Sequence, residues 1–278
     1  MRVARQWIAG ETAQDGIERV KIANSKGILG LLNLLGEHIE SREGVSATIK
    51  EYDTLLDLIS ESGVRSQISI KPTQMGLNLD FEYCVANHLH VAENCRSHSD
   101  NWLWIDMENS PYTQKTIELY VRVLDRYPNT GVAIQAYLKR SLDDLRLIIP
   151  HGSKVRLVKG AYNEPSDIAL KGKEEIRNNY SCLLELLFSD PTNSFTAVAT
   201  HDSALVEKAK NLAKESKANF EFEMLMGVRD SLKLELVSQH HQVREYVPYG
   251  PEWLPYSMRR MREKKSNILL LGRSLFSW

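Results

Sequence analysis

Along this chain, short apolar runs rich in β-branched and aromatic residues alternate with longer stretches of helical period. Eight runs read as strands: 27–35, 67–71, 102–107, 131–136, 154–159, 195–200, 219–224 and 243–247. The stretch 113–126 places Ile117, Tyr120, Val121 and Leu124 on one stripe, the spacing of an amphipathic helix. A second helix is expected at 141–149, where Ser141 reads as the N-cap and acids follow in the first turn. Helices at 203–216 and 228–239 follow the same logic. Regular strand-then-helix alternation predicts a parallel sheet with helices on its faces. Eight such units in 278 residues suit a (β/α)₈ barrel, which usually takes about 250. An open doubly wound sheet would need fewer strands, and the glycine fingerprint of its dinucleotide-binding form is missing. No Pro/Gly/Ser-rich linker divides the chain, so residues 1–278 read as one domain.

Composition narrows the function classes. With 42% hydrophobic and 26% charged residues the chain can bury a large core. Its 35 Lys and Arg balance 36 Asp and Glu, which argues against a nucleic-acid partner. Three cysteines do not make a disulfide framework and suit a reducing compartment. No run approaches a membrane span, and the N-terminus lacks the apolar stretch of a secretory signal. The expected location is cytoplasmic.

In a barrel, chemistry belongs at the carboxyl ends of the strands. Those ends carry Glu37, Lys71, Asp106 with Glu108, Gln135 with Tyr137, and Arg156 with Lys159 and Tyr162. Thr200-His201-Asp202, Glu223 and Tyr246 complete the series. Strand interiors otherwise read as apolar, so the charges converge on one rim. After the last strand, Arg259 and Arg260 lie in a helical segment one turn beyond Tyr256. They read either as a solvated face or as a bidentate clamp for a carboxylate. Cys84, His88, His90, Cys95 and His98 cluster in sequence, but their spacings fit no common ligand pattern and no metal is expected. His201-Asp202-Ser203 holds the residue types of a hydrolytic triad, which is assembled in space rather than from neighbours.

The stretches SIKPTQMGLNLD, WIDMENSPYT, VRLVKGAY, ATHDSALV, FEFEMLMGVR and YSMRRMRE occur in this order, and with them the chain resembles the proline dehydrogenase family. The resemblance also covers the proline dehydrogenase domain of bifunctional proline utilisation proteins. It implies a distorted (β/α)₈ barrel, here with a short N-terminal helical extension, that carries FAD without a dinucleotide-binding module. It implies oxidation of L-proline to Δ1-pyrroline-5-carboxylate by hydride transfer to the flavin, with electrons passed to a membrane quinone. Peripheral contact with the inner membrane face and a homo-oligomer are compatible with it.

The family's roles fall on Lys71, Arg259 and Arg260 as cations for the substrate carboxylate. They fall on Leu157, Tyr162, Tyr246 and Tyr256 as walls around the ring. Arg156 matches the residue that bonds the reactive flavin nitrogen. Gln135, Lys159, Gly160, Ala161, Thr200, His201 and Glu223 match cofactor contacts. Asp106 matches an acid organising Lys71 and Tyr246, and Glu37 a gate that pairs with Arg259. Two positions depart from the pattern: Glu223 stands where Gln is usual, and Met226 where Tyr is usual. An anion at 223 should disfavour a negatively charged reduced flavin unless it is protonated or paired. Other readings are a flavin- or ligand-binding barrel without dehydrogenase activity, and a dehydrogenase for hydroxyproline or another cyclic amino acid.

Overall fold

The computed structural model describes residues 6–96 and 102–258, and its elements follow the expected alternation. A first helix, α1 (Ala13–Asn24), precedes the sheet. Thr12 accepts from the Asp15 backbone while Asp15 takes the Thr12 N–H, a reciprocal cap that sets the start of α1. Then come β1 (Leu29–Leu34), α2 (Arg42–Ser62), β2 (Ser66–Ile70), α3 (Phe81–Cys95), β3 (Leu103–Ile105) and α4 (Ser110–Leu124). The second half holds β4 (Thr130–Gln135), α5 (Ser141–Ile148), β5 (Lys154–Val158), α6 (Lys173–Ser189), β6 (Phe195–Ala199) and α7 (Ser203–Glu215). It ends with β7 (Phe220–Leu225), α8 (Asp230–Ser238), β8 (Val243–Tyr249) and a helical turn beginning at 253. Among the described residues the strands pair in sequence order, all parallel, and β8 closes the barrel on β1 with Val247 opposite Leu32.

Alternation along each strand divides the side chains into two sets. Ile68, Ile70, Leu103, Ile105, Val132, Ile134, Val155 and Leu157 face outward into a continuous apolar layer beneath the helices. The inward set differs from expectation. Gln67, Ser69, Arg156, Glu221, Glu223 and Arg244 are buried polar residues within strands. The barrel's interior is therefore not apolar with a polar rim. Its floor is apolar, where Leu31, Trp104, Phe195 and Ala197 pack together. Several inner polar groups are paired: Trp104 Nε1 donates to Gln67 Oε1 at 2.6 Å, and Arg244 Nε to Glu221 Oε1 at 2.7 Å. Burying such groups without partners would cost several kcal/mol each.

One helix start also differs. Arg140, not Ser141, is the N-cap of α5. The Ser141 hydroxyl instead donates to the carbonyls of Gln135 and Leu138, because the tight turn after β4 brings both within reach.

Candidate functional site

Inward alternation and the parallel register bring one group of side chains together at the carboxyl end of the barrel. They surround a cavity of about 390 Å³. Asp106, just beyond β3, is its hub. Its Oδ1 accepts from Ser69 Oγ at 2.6 Å and from Arg156 Nη1 at 2.8 Å. Its Oδ2 accepts from Tyr246 OH at 2.9 Å and Lys71 Nζ at 3.4 Å. Burial alone would raise this carboxyl, yet Lys71 and Arg156, with hydrogen bonds from Ser69 and Tyr246, hold it below the usual carboxylate range. Asp106 is thus a permanent anion that fixes two cations and a phenol.

Lys71 is 7% exposed and also donates to Asn33 Oδ1 at 3.2 Å. Arg156 lies over the Trp104 ring at 4.5 Å, and its Nη2 has no hydrogen-bond partner among the described residues. On its other side Glu223 Oε2 stands 2.6 Å from Arg156 Nε. Tyr246 and Tyr256 also line the cavity, with Arg156 Cζ 5.9 Å from the Tyr246 ring, and Tyr256 packs with Trp7, Ile8 and Leu35.

The rim comes from the loops after β4, β5 and β6. Gln135 donates to the Glu108 carbonyl at 2.9 Å. Lys159 Nζ is 2.7 Å from Asp202, and Arg177 holds the same oxygen at 2.8 Å. Together they draw the Asp202 carboxyl down to about 2 against the upward push of burial. Gly160 has φ +116°, and a Cβ there would sit 2.1 Å from the Tyr137 ring, so the turn out of β5 needs glycine. Its loop is anchored by Glu164, whose carboxylate accepts from Ser110 N and Oγ, both at 2.6 Å, at the start of α4. Lys71, Asp106, Gln135, Arg156, Lys159, Gly160, Ala161, Tyr162, Thr200, His201, Glu223, Tyr246, Tyr256 and Glu37 all line the cavity.

Two expected positions fall elsewhere, and two lie outside the described residues. Leu157 is fully buried in the outer apolar layer, because Arg156 and Val158 on either side take the inward positions. It is not a wall of the cavity. Met226 packs in that same layer. Arg259 and Arg260 lie outside the described residues.

The sequence reading missed Asn33 and Ser69. Ser69 is two residues before Lys71 on β2, so period 2 could have placed it on the same face. Asn33 is the one polar residue in GILGLLNLL, and that oddity was its signal. Glu108 was noted for its charge, but its carboxylate braces the turn after β2 by accepting from Thr73 N and Oγ1.

The sequential motifs dissolve in space. Asp202 caps α7, His201 Nε2 accepts from Leu225 N, and Ser203 Oγ accepts from Arg229. His88 is buried on α3 with Nδ1 facing the Cys84 carbonyl, whereas His90 is exposed and meets Asp53. His98 lies outside the described residues.

A family model described as proline dehydrogenase matches residues 16–270. The chain is 32% identical over 275 residues to proline dehydrogenase 1 of Bacillus subtilis, covering 98% of this chain and 90% of that protein. Against the proline dehydrogenase of Deinococcus radiodurans it is 29% identical over 282 residues, with 98% and 90% covered. Among solved structures, proline utilization A from Bdellovibrio bacteriovorus, inactivated by N-propargylglycine, matches with a TM-score of 0.87 at 21% identity. That match covers 95% of this chain and 33% of the larger one, and it speaks for the fold.

Proposed function

The chain belongs to the proline dehydrogenase family, and from that premise we propose that it oxidises L-proline to Δ1-pyrroline-5-carboxylate with FAD bound in the barrel cavity. The observation that carries this reading is the Asp106 hub, which holds Lys71, Arg156 and Tyr246 around one cavity. The residues present fit a flavin. Arg156 lines the cavity and is 3% exposed, and its Nη2 is a buried donor without a hydrogen-bond partner among the described residues. Gln135, Lys159, Thr200 and His201 add polar groups along the same wall, with Gly160 and Ala161 leaving room at the rim.

When bound, FAD supplies the two-electron acceptor for the hydride on the carbon beside the substrate nitrogen. The chain's residues do the positioning. Lys71, with Arg259 and Arg260 beyond the described residues, binds the substrate carboxylate, and Tyr246, Tyr256 and Tyr162 enclose the ring. Asp106 keeps Lys71 aimed. Burial beside Lys71 favours the neutral amine, whose lone pair must assist departure of the hydride. Holding the reacting atoms at attack distance supplies up to about 7–11 kcal/mol in favourable cases. The family resemblance assigns Glu37 and Arg259 a gating role; Glu37 lines the cavity, and Arg259 lies outside the described residues. A membrane quinone takes the electrons onward, as the family resemblance implies. No helix among the described residues is long and apolar enough to cross a membrane.

The test is anaerobic addition of L-proline to the flavin-loaded protein. Bleaching of the flavin absorbance with formation of pyrroline-5-carboxylate is the expected result. Persistent absorbance with proline would overturn the reading, and faster bleaching by hydroxyproline or another cyclic amino acid would reassign the substrate.

A further inference from the structure

The cavity holds one more carboxylate than its cations serve well. Glu223 faces inward on β7 and is 3% exposed. Its Oε2 lies 2.6 Å from Arg156 Nε, but that N–H is not aligned for a hydrogen bond, and Glu223 Oε1 has no partner among the described residues. Arg156 meanwhile gives Nη1 to Asp106 at 2.8 Å. Two acids divide one guanidinium, and Asp106 has the better share.

The surroundings offer Glu223 little else. Arg244, its register partner on β8, commits Nε to Glu221 and Nη1 to the Gly30 carbonyl. Tyr246, also on β8, gives its hydroxyl to Asp106. Glu221, two residues along the same strand, repels it. Ala199, its register partner on β6, brings no charge, and His201 at the rim takes the Leu225 N–H. Tyr180 of α6 bonds the Leu157 carbonyl, and Lys71 is turned toward Asp106 and Asn33. Burial, reinforced by Glu221, therefore outweighs the attraction of both Arg156 and Arg244 and lifts the Glu223 carboxyl to about 7.

We propose that Glu223 is the proton acceptor that balances the charge gained in the cavity on reduction, binding one solvent proton for each two-electron event. This rests on the reading that the cavity holds a flavin. The substrate C–H bond breaks with its electron pair passing to the coenzyme as hydride, and the nitrogen lone pair closes the C=N bond. The coenzyme is left one unit more negative, which raises the proton affinity of a carboxylate beside it. A proton entering from solvent through the open mouth bonds to Glu223. Arg156, relieved of one anion, then turns its charge and its unpartnered Nη2 to the reduced coenzyme. Reoxidation returns the proton to solvent.

The test is the midpoint potential of the flavin-loaded protein and of its isosteric Glu223→Gln variant, from about pH 6 to about pH 9. Above about pH 7 the wild-type potential should fall more steeply than the variant's. The added slope is one tenfold change in the reduction equilibrium per pH unit, or about 30 mV for two electrons. The variant should lie above the wild type at alkaline pH and merge with it at acid pH, where both side chains are neutral. Parallel curves overturn the proposal. A reduced-minus-oxidised infrared spectrum of the wild type is a second readout that needs no variant. It should show a carboxylate band lost and a protonated carboxyl band gained, and their absence sinks the idea as well. Failure of the protein to bind flavin at all would instead overturn the functional reading, and this inference with it.

Discussion

Asp106 shows how much one side chain can organise. Four donors converge on its two oxygens, from Ser69, Arg156, Tyr246 and Lys71. Asp106→Asn keeps the shape but removes the charge that fixes both cations. Its kcat/KM for proline should fall about 100-fold, the scale expected when reacting groups shift by about 1 Å. Steady-state kinetics on variant protein with equal flavin content checks this; an unchanged value would remove Asp106 from its role. Leu157 makes the opposite case. It is buried under the helices rather than at the cavity. Leu157→Ala should therefore cost about 2–5 kcal/mol of stability, seen as a lower melting temperature, with KM for proline unchanged. Motif resemblance put Leu157 at the substrate because its neighbours in VRLVKGAY are there. Strict alternation along β5 sends it the other way, and that signal was legible in the sequence.

At the scale of elements, the strands were readable within two residues or so at most ends, because β-branched runs bounded by polar residues have few other uses. The expected strand at 102–107 keeps only half its length, since Leu103–Ile105 alone is strand. Asp106 N still donates to the Ile70 carbonyl at 2.9 Å, but its side chain has already left the sheet for the cavity. The cap of α5 was not readable, since Ser141 faces two nearby carbonyls that only the folded turn supplies. The turn out of β5 depends on Gly160. Gly160→Ala places a side chain at φ +116° against the Tyr137 ring. It should cost about 1–3 kcal/mol in strain and weaken flavin retention. Equilibrium dialysis together with thermal melts would measure both, and full retention of flavin would separate this turn from the coenzyme.

For the whole molecule, the polar interior is the feature with the largest energetic stake. Glu221 and Arg244 are each 1% exposed or less and pair inside the barrel. Glu221→Leu alone should destabilise by about 3–5 kcal/mol, because it strands a buried guanidinium. The double variant Glu221→Leu with Arg244→Met should recover much of that loss. Denaturant melts of the wild type, both single variants and the double would show it, and additive losses would refute the pairing argument. By itself, the sequence determined the barrel class, the order of its strands and the chemistry gathered at their carboxyl ends, because period and residue type are local properties. Tertiary structure alone decided which inward residues share a partner. It placed Asp106 between Lys71, Arg156 and Tyr246, and it set Glu223 against an arginine already in use. Those relations join residues far apart in the chain, and they exist only once the closing sheet brings five strands to one point.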